Sequence, residues 1–282
     1  MKKIFISYAN SEMAYSLKRI GRQANRLGIF DAVLLFTPDD LPSYIAHSPL
    51  MAHNRGAGYW VWKPAIIWET LQKYGNDSIV VYADAGCSLY SSEDWQTYFA
   101  ALEECNTLCF EYQDEMPEWE VFGQTSTKIK YWTKQATLDY FQQMLEDKAY
   151  GEKHNKIWGG LLFCRGKDNH FVRDWLKIML EQPDLIVDPD PDERAYGNNE
   201  LAHHKHDQCV LTALAHLHTD DVQIMDAKME TERIAAVVGS RIRVKNYFAY
   251  CLLQCKGKMR DLMGKDTYNY WKAKFKHIIT SS

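Results

Sequence analysis

Ser78-Ile79-Val80-Val81-Tyr82-Ala83-Asp84-Ala85-Gly86-Cys87 decides how the chain is read. Ile79 to Tyr82 form an unbroken apolar run that leads straight into an acidic turn, Asp84-Ala85-Gly86. A strand apolar on both faces belongs to the interior of an α/β sheet. Such sheets bind ligands beyond the carboxyl ends of their strands, and Asp84 stands at that edge. A single aspartate there also serves merely to cap the next turn, so its surroundings must decide. Gly86 would allow close approach of a ligand.

The flanking sequence extends the pattern. Ile4-Phe5-Ile6 reads as a first strand, Leu17, Ile20, Ala24 and Leu27 recur at helical spacing, and Ala32 to Phe36 read as a second strand closed by Thr37-Pro38-Asp39-Asp40. Strand, helix, strand opens a parallel sheet. Residues 42 to 58 hold Pro42, Pro49, Gly56 and Gly58 and read as a loop. Pro64 is predicted to start a helix that ends at Gly75-Asn76-Asp77, and Ser91 with Asp94 has capping-box spacing for a helix bearing Trp95, Tyr98 and Leu102. Thr107 to Phe110 is a further strand. The acidic, aromatic stretch 111 to 127, with Glu115, Glu118, Trp119 and Glu120, reads as a mobile loop. A helix around Leu138 and Phe141, a strand Leu161 to Cys164 and a helix with Phe171 and Trp175 come next. Residues 184 to 199 read as loop or lid, Asp207 opens a helix, and Val222 to Met225 is a late strand.

The expected fold is α/β: a Rossmann-like, mixed, mostly parallel sheet flanked by helices, as a single domain over 1-227. A basic, helical or mixed region, 228-282, would pack on it. At 282 residues and 46% hydrophobic the chain can bury a full core. Its net charge of −4 gives no electrostatic case for nucleic acid. Basic residues gather late, from Arg241 to Lys245, at Lys256, Lys258 and Arg260, and from Lys272 to Lys276. They read as a solvated face or as a patch for peripheral contact with anionic lipid. Seven cysteines without framework spacing point to a reducing compartment, and no apolar run suits a signal peptide or a membrane span, so a cytoplasmic protein is expected.

Three other segments carry chemistry-bearing residues. Arg55-Gly56-Ala57-Gly58-Tyr59-Trp60-Val61-Trp62-Lys63-Pro64 crowds glycines, aromatics and cations ahead of a helix. If extended, it would point Trp60 and Trp62 one way and Tyr59 and Lys63 the other. It reads either as a buried aromatic cluster or as a loop that stacks on a base or sugar while Lys63 or Arg55 meets phosphate. Trp158-Gly159-Gly160 is either a tight bend or a surface on which a flat sugar can lie. In His203-His204-Lys205-His206-Asp207-Gln208, Asp207 is a natural N-cap and the histidines are surface groups or metal ligands.

In this order, the motifs resemble those of glycosyltransferases of the A fold, in outline the family-8-like retaining enzymes and bacterial transferases that build capsule and lipopolysaccharide. The likeness covers residues 3 to 225: Lys63 at a helix start, Tyr82-Ala83-Asp84, Trp158-Gly159-Gly160 before a strand, and Asp207-Gln208 opening a helix. Gly86 stands where a second carboxylate is usual, and a late His-x-x-Gly-x-x-Lys-Pro-Trp element is absent.

The resemblance implies transfer of a hexose from a nucleotide diphosphate sugar, a UDP-sugar, to a hydroxyl of a glycan or lipid-linked acceptor in cell-surface polysaccharide synthesis. It implies Asp84, Asp207 and Gln208 as catalytic residues, with Gln208 near the anomeric carbon in a retaining enzyme or Asp207 as base in an inverting one. Ser7, Tyr8, Asn10, Asp39, Arg55, Tyr59, Trp60, Lys63, Gly159 and Gly160 would bind the nucleotide sugar, with Asp40 beside Asp39. Asp84 and His206 would hold Mn2+ or Mg2+, with His204 as the other candidate histidine; alternatively Asp84 holds a ribose or sugar hydroxyl. A non-catalytic sugar or nucleotide-sugar binding homologue is the competing reading.

Overall fold

The computed structural model describes residues 1–114, 122–227, 235–264 and Thr267. The elements follow the apolar periodicity. β1 (Lys2–Tyr8), α1 (Ala14–Leu27) and β2 (Ala32–Phe36) come first, then α2 (Trp62–Tyr74), β3 (Ser78–Ala83) and the short β4 (Ser88–Leu89). α3 (Asp94–Glu104), β5 (Thr107–Glu111), α4 (Gln135–Met144), β6 (Leu161–Arg165) and α5 (His170–Glu181) follow. α6 (Asp207–Leu217), β7 (Val222–Asp226), β8 (Val237–Val238) and α7 (Tyr247–Met263) complete the series.

The main sheet has the order β2-β1-β3-β6-β5-β7. β1 pairs in parallel with β2 and β3, and β5 with β7, whereas β6 runs antiparallel to both β3 and β5. Five strands therefore share one direction, and the reversed β6 lies beside β3, matching Ala83 with Leu161. That pairing carries Gly159 and Gly160, just before β6, to the carboxyl edge of β3, and Asp84 donates its backbone N–H to Gly160 O at 3.0 Å.

Alternate strand residues feed two cores. Ile4, Ile6, Val80, Tyr82 and Leu162 face α2, α4, α5 and α6, while Phe5, Ile79, Val81, Leu161 and Phe163 face α1 and α3. A sheet buried on both faces explains why its strands read as continuous apolar runs. The second core is aromatic: the Phe163 ring lies 5.4 Å from Tyr98, 5.7 Å from Phe99 and 6.1 Å from Phe110.

Several local expectations change. Residues 42–58 contain short helical turns, Ser43–Ala46 and Gly56–Tyr59, and α2 starts at Trp62, two residues before Pro64. The Ser91–Asp94 capping box does not form. Ser92 Oγ accepts from the Asp94 N–H at 3.2 Å, and the Asp94 carboxylate instead accepts from Ala236 N at 3.1 Å. Within 184–199 a helical turn, Glu193–Tyr196, replaces plain loop. The expected boundary at 228 lies outside the described residues, as do Glu115, Glu118, Trp119, Glu120 and Lys272 to Lys276. Residues 235–250 pack back on the preceding elements: β8 pairs with β4, Ser16 Oγ donates to Ile242 O at 2.7 Å, and Tyr247 and Tyr250 pack against Tyr15.

Phe163 is fully buried on the reversed strand. Phe163→Ala is expected to cost about 3–5 kcal/mol and Phe163→Leu about 1–2 kcal/mol in urea unfolding. A loss below about 1 kcal/mol for the alanine variant would show that this aromatic cluster is loosely packed.

Candidate functional site

β3 delivers Asp84 to the sheet edge in one fixed pose. A tight turn closes behind it, with Cys87 N–H donating to Asp84 O at 2.8 Å. The buried Tyr82, two residues earlier and hence on the same face, donates its hydroxyl to Asp84 Oδ1. The Asp84 side chain keeps 42% of its surface exposed and can still meet a ligand.

The segment before α2 is not extended. Gly56, Ala57, Gly58, Tyr59 and Trp60 all take positive φ, and Trp62 Nε1–H donates to Gly56 O at 2.9 Å to close the turn. Glycine is needed twice there: a Cβ on Gly56 would sit 2.3 Å from the Trp60 ring, and one on Gly58 2.6 Å from Met51 Sδ. The coil overrides strand alternation. Tyr59 is buried and donates to Asp188 Oδ2 at 2.7 Å, Trp60 stacks on His206, and Trp62 stacks on Tyr8 with ring centroids 3.9 Å apart. Lys63 is turned inward, only 2% exposed, and so cannot meet phosphate as expected.

Inside, the Lys63 ammonium gathers the motifs. Nζ donates to Gly159 O at 2.9 Å and to Asp207 Oδ2 at 2.9 Å, and lies 3.7 Å from Asp84 Oδ1. Asp207 is the first residue of α6, and His206, at φ 50°, precedes it as N-cap. The carboxylate thus serves the lysine rather than capping the helix. Burial, opposed by Lys63, pushes the Asp207 pKa up to about 6. Burial also works against the lysine's charge, but Asp207 and then Asp84 outweigh it and hold its pKa above the ordinary value. Asp207 and Asp84 thus share one ammonium. Gln208 follows Asp207, half exposed; its amide N–H donates to Ile157 O at 3.2 Å, and its amide oxygen takes no partner among the described residues.

The glycines before β6 serve this packing. A Cβ on Gly159 would lie 3.0 Å from Gln208 Cγ and 3.5 Å from Lys63 Nζ, and one on Gly160 2.3 Å from the Trp158 ring. The space over Gly159 is therefore filled by protein and offers no face for a sugar. Ser7 is wholly buried and donates to Ala83 O at 2.7 Å, which removes it from a ligand's reach. Tyr8 is buried, and its hydroxyl has no hydrogen-bond partner among the described residues. Asn10 accepts from Glu12 N–H, Asp40 closes a turn with Thr37, and Asp39 is exposed.

His206 is 2% exposed. Its Nδ1 donates to Ile186 O at 2.7 Å and its Nε2 accepts from Arg55 Nε–H at 2.7 Å. Both ring nitrogens are used, so His206 has no lone pair for a metal ion. His204 is likewise tied, to Leu185 O and Lys134 N. Asp84 then stands alone as a carboxylate, 3.7 Å from an ammonium, with Gly86 beyond it. The residues at Asp84 do not fit a resident divalent ion. A group that could hold one among the described residues is Glu111, His154 and His216, whose ligand atoms lie within 4.8 Å of one another. Burial lowers the pKa of both histidines, that of His216 to about 4, which keeps their lone pairs free at neutral pH.

Sequence reasoning missed Tyr82 and Asp188 as partners of Asp84 and Tyr59. Tyr82 had a readable signal, the i to i+2 relation to Asp84; Asp188 sits in an irregular segment that carries no periodic pattern.

No protein-family model and no curated protein matches the chain. Solved structures similar to it include several glycosyltransferases. One, involved in glycosylation of the major capsid of PBCV-1, is 10% identical over 84% of this chain and 93% of its own, with a TM-score of 0.46. Mouse xyloside xylosyltransferase 1, in its apo form, is 9% identical over 81% and 87%, at 0.42. The galactosyltransferase LgtC, in complex with donor and acceptor sugar analogs, is 12% identical over 80% and 74%, at 0.40.

Lys63→Met strands the buried Asp207 carboxylate and is expected to cost about 3–5 kcal/mol in urea unfolding. Adding Asp207→Leu should recover more than about 1 kcal/mol of that loss. Strictly additive penalties would show that the two side chains do not act as a pair.

Proposed function

We propose that this chain transfers a hexose from a nucleotide diphosphate sugar, a UDP-sugar, to a hydroxyl of a glycan or lipid-linked acceptor. The observation that carries this is the convergence of Asp84, Gly159, Asp207 and Gln208 on Lys63 at the carboxyl edge of the sheet. Four motifs scattered along the sequence thereby become one site, with a half-exposed carboxylate and a half-exposed amide facing the same edge.

In this reading Asp84 accepts hydrogen bonds from hydroxyls of the donor sugar. Gln208 offers its amide oxygen to the anomeric carbon as positive charge develops there. The bond from C1 to the diphosphate oxygen breaks, the acceptor oxygen bonds C1 on the same face, and the acceptor proton passes to the departing phosphate. Retention is favoured because Asp207 is buried and bonded to Lys63, out of reach of an acceptor hydroxyl as a base. No step is assigned to a metal ion.

The expected outcome for Asp84→Asn or Gln208→Ala is a loss of transfer by about a hundredfold or more in a protein that still unfolds cooperatively. Full activity in a folded Asp84→Asn protein would falsify the assignment. Binding of donors without turnover, across UDP- and GDP-sugars and a panel of acceptors, would establish the binding homologue instead. Since Asp84 lacks partners for a resident ion, EDTA is expected to leave transfer intact. A loss restored by Mn2+ or Mg2+ would show that the donor's own phosphates complete a metal site.

The peripheral membrane contact and the setting in cell-surface polysaccharide synthesis remain part of this proposal. α7 supports the contact: Leu252, Leu253, Met259 and Leu262 are exposed beside Lys256, Lys258 and Arg260. No helix among the described residues is long and apolar enough to cross a membrane. The protein should co-sediment with anionic vesicles at low salt and not with neutral ones; equal recovery from both would remove the contact.

A further inference from the structure

Histidine nitrogens inside this fold are mostly engaged by protein groups. Both ring nitrogens of His204 and of His206 take partners, and His218 Nε2 lies 3.1 Å from Asp174 Oδ2. His154 and His216 differ. Their rings lie 3.9 Å apart at an interplanar angle of 33°. No hydrogen bond joins either ring to a described residue, and His216 Nε2 is a buried atom left without a partner. Glu111 completes the group. Its Oε1 is 4.0 Å from His216 Nε2, and one donor atom from each of the three residues lies within 4.8 Å of the others.

The three residues come from segments far apart in the chain. Glu111 ends β5, His154 stands in the irregular stretch before β6, and His216 is in the last turn of α6. The same stretch is tied to α6 twice more. Ile157 N–H donates to Thr212 Oγ1 at 3.0 Å, and Gln208 Nε2 donates to Ile157 O at 3.2 Å. Gln208, Thr212 and His216 follow at four-residue spacing and form one row along the helix, about 12 Å from first to last.

The surroundings of the pair are under-bonded. Glu111 Oε1 accepts the Asn155 N–H at 3.2 Å, which orients the carboxylate. Asn155 Nδ2 donates to Asp114, but Asn155 Oδ1 is buried without a hydrogen-bond partner. So is the hydroxyl of Tyr150, whose ring lies 5.9 Å from His154 and 6.3 Å from His216. Buried polar groups are ordinarily satisfied. Their concentration around one histidine pair marks a place where a bound group completes the bonding.

We propose that Glu111, His154 and His216 bind one divalent transition-metal ion of the zinc type, which fastens the stretch before β6 to β5 and α6. The site does not rest on the glycosyl-transfer reading. Two imidazole nitrogens and one carboxylate oxygen suit Zn2+, whereas Mg2+ and Ca2+ take oxygen donors. Tetrahedral zinc bonds of about 2.0–2.2 Å put ligand atoms about 3.3 Å apart. Glu111 Oε1 and His216 Nε2, now 4.0 Å apart, would close by under an ångström. Asp114 and Asp226 add negative charge near Glu111; Lys128 opposes them and is itself paired with Asp114 at 2.9 Å. Three protein donors leave the fourth position to water. Two helical turns separate the ion from Gln208, so its role is to hold the backbone that leads to Gly159, not to meet the donor.

Titration of the chelator-treated full chain with Zn2+ and Co2+ tests the site. Wild type should bind one Zn2+ at least a hundredfold more tightly than Mg2+. At a hundred times its Kd, zinc should raise the melting temperature by about 4 °C or more. Bound Co2+ should give visible ligand-field bands without the near-ultraviolet band of a cobalt–thiolate bond. His154→Gln, His216→Gln and Glu111→Gln should each weaken Zn2+ binding at least tenfold. Cys251→Ser with Cys255→Ser, which removes a competing donor pair at helical spacing on α7, should leave it unchanged, as should His203→Gln. His154→Cys, at the half-buried member of the group, should keep the metal and gain the cobalt–thiolate band. That gain identifies the ligand directly even where a glutamine variant folds poorly. No saturable zinc site in wild type, unaltered binding in the three folded glutamine variants, or a thiolate band in cobalt-loaded wild type overturns the proposal. The chelated protein should melt lower and still transfer sugar below its melting range; a loss of transfer that Zn2+ alone restores would overturn the holding role. Zinc binding at these residues in a protein that transfers no sugar leaves the site standing and removes the transferase reading alone.

Discussion

One buried ammonium holds the candidate site together. Taking Lys63 out of water is expensive and is offset only where its acceptors are already placed. Gly159 O and Asp207 Oδ2, both at 2.9 Å, lie 96 and 144 residues along the chain from it. The lysine therefore fixes how the start of α2, the approach to β6 and the start of α6 sit relative to one another. Gln208 follows Asp207 on the same turn of helix, so its position is inherited from that pair. Asp84, with half its surface in solvent, is the outermost of the three groups, and only its pose depends on Lys63 and Tyr82.

The strands were legible because burial on both faces leaves uninterrupted apolar runs, and the register of β6 with β3 then brings Gly159 to Asp84. The reversal of β6 is not written in such a run, since an apolar segment reads the same in either direction. The Arg55–Lys63 segment failed for a different reason. Alternation predicts side-chain direction only in extended backbone, and five consecutive positive φ values replace it with a coil. Its two glycines were the available warning. Lys63 reads in sequence as a cation for phosphate and in the fold faces Asp207 and Gly159 O: sequence cannot distinguish a cation facing phosphate from one facing an internal carboxylate. Trp158-Gly159-Gly160 shows the same limit. Glycine was required for close approach, but the approaching groups are Gln208, Lys63 and the Trp158 ring.

Charge explains the histidines as well. Arg55 lies 3.3 Å from Asp188 and donates to His206, whose other nitrogen is held by Ile186 O. A run of three histidines next to an aspartate suggests metal in sequence. In the fold it becomes a scaffold in which neutral rings orient an arginine. The switch comes from burial, which favours the neutral ring and engages both nitrogens with protein groups.

Gly86 is the remaining departure, and sterics do not demand it. Its φ is not positive, and a Cβ there would meet its nearest neighbours at 3.7 Å, an ordinary contact. The backbone would accept an aspartate, so the missing second carboxylate belongs to the binding chemistry and not to the fold. Asp84 and Asp207 already outnumber Lys63, and a third carboxylate without a bound cation would add uncompensated repulsion. Glycine at 86 thus leaves this edge of the sheet with a single half-exposed carboxylate, Asp84.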